Sequence, residues 1–127
     1  MRHDDITNKI IEAYFTVYNT LGYGFLEKVY ENALMIEMKK LGLQAESQVP
    51  IQVKYDRSII GEYFADILVD NRVIVEIKAA RAICAEHEAQ LLNYLKATSL
   101  EVGLILNFGP KAELKRIIFD NFRKKPV

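Results

Sequence analysis

The sequence predicts an α/β fold: a mixed β-sheet flanked by helices, in the order ααβββαββ. Three observations predict it. The first forty or so residues carry apolar side chains at helical spacing. The middle of the chain switches to strand-like runs joined by two-residue turn signals. A further helical stretch then precedes an apolar run, "EVGLILNF", that reads as another strand.

The elements follow in order. From Asp5 to about Leu21, the residues Ile6, Ile10, Ile11, Tyr14, Val17, Tyr18 and Leu21 line one helical face, and Gly22 and Gly24 break the pattern. A second helix runs from about Leu26 to Leu41, its apolar set being Leu26, Val29, Tyr30, Ala33, Leu34, Ile36 and Leu41, with Gly42 as its stop. The first strand spans roughly Gln44 to Tyr55. Pro50 inside it lacks a ladder donor, which points to a sheet edge or a bulge. Asp56-Arg57 is a turn into the second strand, Ser58 to Val69, and Asp70-Asn71 is a hairpin turn into the third, Val73 to Lys78. A third helix covers Ala85 to Ala97 and a fourth strand Glu101 to Phe108. Gly109-Pro110 turns the chain, and "ELKRIIF" reads as a last strand, with a short helix as the alternative.

With 127 residues, half of them hydrophobic, the chain is expected to form one soluble domain with a real core. Lys+Arg and Asp+Glu are both 17, so global charge neither supports nor excludes nucleic-acid binding. The basic tail "NFRKKPV" and the group Lys111, Lys115, Arg116 read as solvated charge. Cys84 is the one cysteine. It excludes an internal disulfide and a cysteine-based zinc site, and reads as a small, buried or half-buried residue. No secretory pattern opens "MRHDDITNK", His3 reads as part of a frayed terminus, and no apolar run reaches membrane-spanning length, so a reducing, cytoplasmic setting is expected.

The third strand poses the chemical question. In "RVIVEIKAA", Glu76 and Lys78 point to one face, shared with Ile74. In the second strand Asp66 lies between Phe64 and Leu68 on a face that reads as buried. The hairpin makes the two strands neighbours, so Asp66, Glu76 and Lys78 converge. Burying three charges is defensible if they neutralise each other, as a structural ion pair, or if they bind something. Two carboxylates with a nearby backbone carbonyl, here that of Ile77, offer the hard oxygen ligands that magnesium takes, and a lysine beside them can position a water or hold a phosphate oxygen.

The pattern Asp66…Glu76-Ile77-Lys78 resembles the PD-(D/E)XK nuclease superfamily, with Ala65 in place of the proline of "PD". "GFLEKVY", Gly24 to Tyr30, matches G-x-x-E-x-x-Y, and together with "HEAQLLNYLK" and "GLILNFG" it is similar to the GxxExxY proteins, a family assigned to that superfamily. The resemblance spans about Ile6 to Ile118. It implies a restriction-endonuclease-like core and a magnesium- or manganese-dependent phosphodiesterase acting on nucleic acid, DNA before RNA. It implies Asp66, Glu76 and the Ile77 carbonyl as metal ligands, Glu27 as a further catalytic acid and candidate ligand, and Lys78 assisting the water. An acid in the first turn of a helix also suits the helix dipole, which is the plain alternative for Glu27. Tyr30, one turn on, is expected to pack with its hydroxyl supporting Glu27. Gln90 and Tyr94, spaced i and i+4, resemble the Q-x-x-x-Y pair that sits beside the site in exonuclease-type members, contacting substrate or orienting catalytic groups. The alternative is that Tyr94 packs with Leu91 and Leu95 while Gln90 caps a strand edge. His87 shares their face and is expected to be solvated. Three functions compete: a metal-dependent nuclease, a non-catalytic module that keeps the fold and binds nucleic acid or protein, and a structural protein with a self-satisfied salt-bridge network. A nuclease of this size is expected to need a homodimer or a protein partner to enclose its substrate.

Overall fold

A computed structural model describes residues 2–125 of the chain. Pro126 and Val127, the end of the basic tail, lie outside the described residues, as does Met1. The elements are α1 (Asp4–Leu21), α2 (Glu27–Lys40), β1 (Ala45–Tyr55), β2 (Ser58–Val69), β3 (Val73–Lys78), α3 (Ala85–Ala97), β4 (Val102–Phe108) and β5 (Ala112–Ile118), with a 3₁₀ turn at Asn121–Arg123. The order ααβββαββ is the one the sequence predicts, and the fold is that of a restriction-endonuclease-like core.

The strands form one sheet in the order β1-β2-β3-β4-β5. All neighbours are antiparallel except β3 and β4, which run parallel through the α3 crossover. Both tight turns place two consecutive non-glycine residues in the left-handed region: Asp56 and Arg57 at φ 51° and 66°, Asp70 and Asn71 at 51° and 55°. Those angles match a type I′ hairpin, whose twist suits the strands it joins. Asp70 adds a side-chain acceptor for the Gln44 amide at 2.8 Å. Pro50 does lie on an edge strand.

The sheet has two apolar faces. On one, α1 and α2 bring Ile10, Tyr14, Leu34 and Met38 onto Val73, Val75, Ile77, Leu104 and Phe108. On the other, α3 brings Leu91, Tyr94 and Leu95 onto Ile74 and Ile105. The central strands are covered on both sides, which is why β3 and β4 read as near-continuous apolar runs. The crossover helix lies very close to β4. A Cβ on Gly103 would stand 2.7 Å from Leu91 Cδ1, so any larger residue there requires the buried Leu91 side chain to shift. Among the described residues no helix is long and apolar enough to cross a membrane.

Several local expectations are corrected. Cys84 is exposed, at the N-cap of α3, and His87 is not simply solvated: its Nδ1 accepts the Cys84 amide at 3.2 Å in a reciprocal capping box. His3 caps α1, its carbonyl accepting the Thr7 amide at 3.0 Å, and Arg2 pairs with Glu101 and Asp120, so this end of the described chain is tied down. Lys124, expected in a solvated tail, donates to the carbonyls of Thr98 and Leu100 at 2.9 and 2.6 Å. Phe64 is 48% exposed rather than buried. Ala65 and Leu68 pack on the α3 side and Ile67 on the other, so the two-residue alternation breaks at Asp66 and Phe64 does not share the buried face of Leu68. The β1–β2 hairpin there also projects beyond Ile67–Val75 without a third strand beside it.

Candidate active site

The site forms where β2 and β3 part. Beyond Val75 the two strands no longer exchange ladder hydrogen bonds, and each strand's backbone is served by the other's carboxylate. The Asp66 amide donates to Glu76 Oε2 at 2.8 Å, and the Ile77 amide donates to Asp66 Oδ2 at 2.7 Å. These reciprocal bonds fix both acids at the mouth of a fork. On its other side β3 stays paired with β4 to its end, Lys78 opposite Asn107.

Lys78 closes β3 on the same face as Glu76. Its Nζ donates to Gln90 Oε1 at 3.0 Å, and Gln90 Nε2 donates to the Tyr94 hydroxyl at 3.1 Å. Thus α3 supplies a polar relay that holds the lysine beside the acids. Behind it, the buried Asn107 bonds both polar groups of the Ala80 backbone, at 2.9 and 3.0 Å, and braces the chain leaving β3.

Burial and crowding dominate the electrostatics. Glu76 is 3% exposed. Burial first, and then the Asp66 charge, push its carboxyl up to about 8, against the pull of the Asp66 amide and Lys78. Asp66 is raised for the same first reason, with the charges of Glu31 and Glu27 adding to it and the Ile77 amide and Lys78 opposing. Tyr94 is raised by burial and then by Glu76.

The structure therefore brings together Asp66, Glu76, Lys78, Gln90 and Tyr94. Glu27 is exposed at the start of α2 and lines a separate hollow with Arg81 and Pro110, though its charge is felt by both Asp66 and Glu76. The acid buried on α2 is Glu31, 4% exposed, which sequence reasoning missed. It accepts Lys28 Nζ at 2.6 Å and Gln48 Nε2 at 2.9 Å. Gln48 lies on β1 between the Ser47–Ile67 and Val49–Ala65 pairs with φ 54°, a backbone state that costs a non-glycine residue energy, and its side chain reaches Glu31. The available signal was helical spacing: Glu31 falls on the stripe of Tyr30, Leu34 and Met38, where an acid is out of place.

Tyr30 is also corrected. Its hydroxyl donates to the Gly22 carbonyl at 2.8 Å and accepts the Phe25 amide at 3.1 Å, and its ring stacks on Phe108 with centroids 4.0 Å apart. It locks the α1–α2 loop rather than supporting Glu27.

The donor set fits a hard divalent cation. Asp66 and Glu76 each spend one oxygen on a backbone amide and keep the other, and their mutual repulsion is what a cation between them would relieve. Among the described residues no group of three or more His, Cys, Asp or Glu side chains is gathered as a metal cage. An ion here would rest on two carboxylates, a carbonyl and water, which is how magnesium is commonly held.

Comparison with known proteins agrees with this geometry. A family model described as the PD-(D/E)XK nuclease superfamily matches residues 4–117. A solved structure, the crystal structure of SSO0001, is similar at TM-score 0.56 and 21% identity. The match covers 73% of this chain and 50% of that one, so this chain corresponds to half the length of SSO0001, and the likeness is one of fold. No curated protein matches the chain.

Proposed function

The chain belongs to the PD-(D/E)XK nuclease superfamily, and from that premise we propose that it is a metal-dependent nuclease hydrolysing phosphodiester bonds of nucleic acid, DNA in preference to RNA. Within the superfamily we assign it to the GxxExxY proteins, on Gly24, Glu27 and Tyr30. The observation that carries the reading is the fork, where two carboxylates replace the ladder between β2 and β3 and a lysine stands on the same face.

In this reading Asp66, Glu76 and the Ile77 carbonyl hold magnesium or manganese. A bound ion supplies Lewis-acid polarisation of the phosphate and a more acidic water. The residues do the rest. Lys78, held by Gln90, orients the attacking water or a phosphate oxygen and offsets the negative charge that builds on the phosphoryl oxygens. Gln90 and Tyr94 keep the ammonium in place and border the substrate. Glu31, fixed by Lys28 and Gln48, stands as a further acid on the α2 side, and Glu27 extends that negative field outward. A second copy or a protein partner completes the enclosure of the substrate.

The test is a magnesium and manganese titration of wild type and Asp66→Ala by calorimetry, with a cleavage panel of single- and double-stranded DNA and RNA. Metal binding that depends on Asp66, together with cleavage, supports the proposal. A folded, metal-binding wild type that cuts nothing across the panel moves the protein to a non-catalytic binding module.

A further inference from the structure

A groove of about 1020 Å³ lies between the β1–β2 hairpin and α3, beside the fork. Lys54 and Gln52 of β1, Tyr63 of β2 and Asn93, Tyr94 and Lys96 of α3 are among its walls. Tyr63 is 51% exposed, and its ring meets that of Tyr94 with centroids 5.8 Å apart. The Tyr94 hydroxyl accepts from Gln90, whose carbonyl oxygen holds Lys78. An unbroken chain of contacts therefore runs from the fork into the groove.

Resting on the nuclease reading above, we propose that this groove takes an unpaired stretch of nucleic acid with a base stacked on Tyr63, so that the protein selects single strands or single-stranded ends over blunt duplex. Three features argue for that occupant. An aromatic wall with one ring face open offers stacking, and only an unstacked base has a face free to accept it. The exposed amides of Gln52 and Asn93 suit base edges, and Lys54 and Lys96 suit one or two phosphates. The opposing acid of the lining, Glu86, leaves little net positive charge, and the whole chain has none. A protein that tracks duplex backbone relies instead on many phosphate contacts from Lys and Arg.

The chain has no tryptophan, so Tyr63→Trp places a single fluorescent reporter in the groove wall. The full-length variant is titrated in EDTA with a short oligothymidylate, a short oligouridylate and a short blunt duplex. Saturable quenching by either single strand, with the duplex at least about 10-fold weaker, is the expected result. In parallel, anisotropy of labelled oligothymidylate with wild type should show a loss of about 10-fold for Tyr63→Ala and most of the affinity kept by Tyr63→Phe. Absence of quenching, an equal response to duplex, or wild-type affinity in Tyr63→Ala overturns the inference. The two readings fail separately. Tyr63-dependent strand binding without cleavage in magnesium or manganese leaves the groove and removes the nuclease. Cleavage with no dependence on Tyr63 does the reverse.

Discussion

Strand β3 has two different flanks. Towards β4 it is paired along its whole length, from Val73–Val102 to Lys78–Asn107. Towards β2 the pairing ends at Val75, and Asp66 and Glu76 take over the backbone amides that a ladder would have used. The same three residues, Glu76 to Lys78, are thus laddered on one side and open on the other. The closed flank, sealed by α3 and Asn107, makes the backbone rigid. The open flank gathers buried and half-buried acids that such a backbone can hold against their own repulsion. A reactive constellation needs both: a fixed frame and a gap in it.

The largest expected effect lies on the open flank. Glu76 is raised from its ordinary 4.5 to about 8, so folding favours its neutral form. The stability this contributes is full below about pH 4.5 and is lost as pH rises through about 8. At about 1.4 kcal/mol per unit, the change is at most roughly 5 kcal/mol. In EDTA, urea midpoints of Glu76→Gln minus those of wild type should therefore climb between about pH 4.5 and 8, the range set by the shift. Parallel curves would show that the fork tolerates the charge.

Next comes Lys78. Lys78→Ala should retain metal binding by calorimetry, because the ligands are oxygens, and lose about 100- to 1000-fold in turnover. Lys78→Arg should restore little of it, since a guanidinium is broader and holds its proton. Turnover of Lys78→Ala at the wild-type rate would separate the open flank from the chemistry.

The closed flank should fail through packing instead. Gly103→Ala would set a methyl 2.7 Å from Leu91 Cδ1 and cost about 1–3 kcal/mol in chemical denaturation. No loss would mean that α3 slides freely on β4 and that the frame is softer than its packing implies. The smallest effect is expected at the hairpin's projecting end. Phe64→Ser should change stability by less than about 0.5 kcal/mol, as for an exposed site. A larger loss by the same measurement would show that the outer hairpin leans on something in solution.

Much of this was readable along the chain because it depends on neighbours in sequence. Strand β2, strand β3 and helix α3 run over the ranges that periodicity and turn residues predict. Asp66, Glu76 and Lys78 could be placed on one face from the two-residue period of strands and a hairpin turn of known length. The resemblance points to Gln90 beside the site, but its bond to Lys78 emerges only once α3 is set over the crossover.

What spacing could not choose was which acid of α2 turns inward. Glu27 and Glu31 lie one helical turn apart on nearly the same face, and the motif singles out Glu27. The packing of α2 decides otherwise, burying Glu31 against Gln48, a partner seventeen residues away on an edge strand. The hydroxyl of Tyr30 likewise answers to Gly22 and Phe25, and Phe64 is exposed because the alternation breaks at Asp66 and the ladder beside it ends. Helix and strand periods are local properties, written in the order of the residues. Burial and hydrogen-bond partners depend on which distant surfaces meet, so the fold had to be assembled before the charged residues of the site could be sorted into those held inside it and those left facing water.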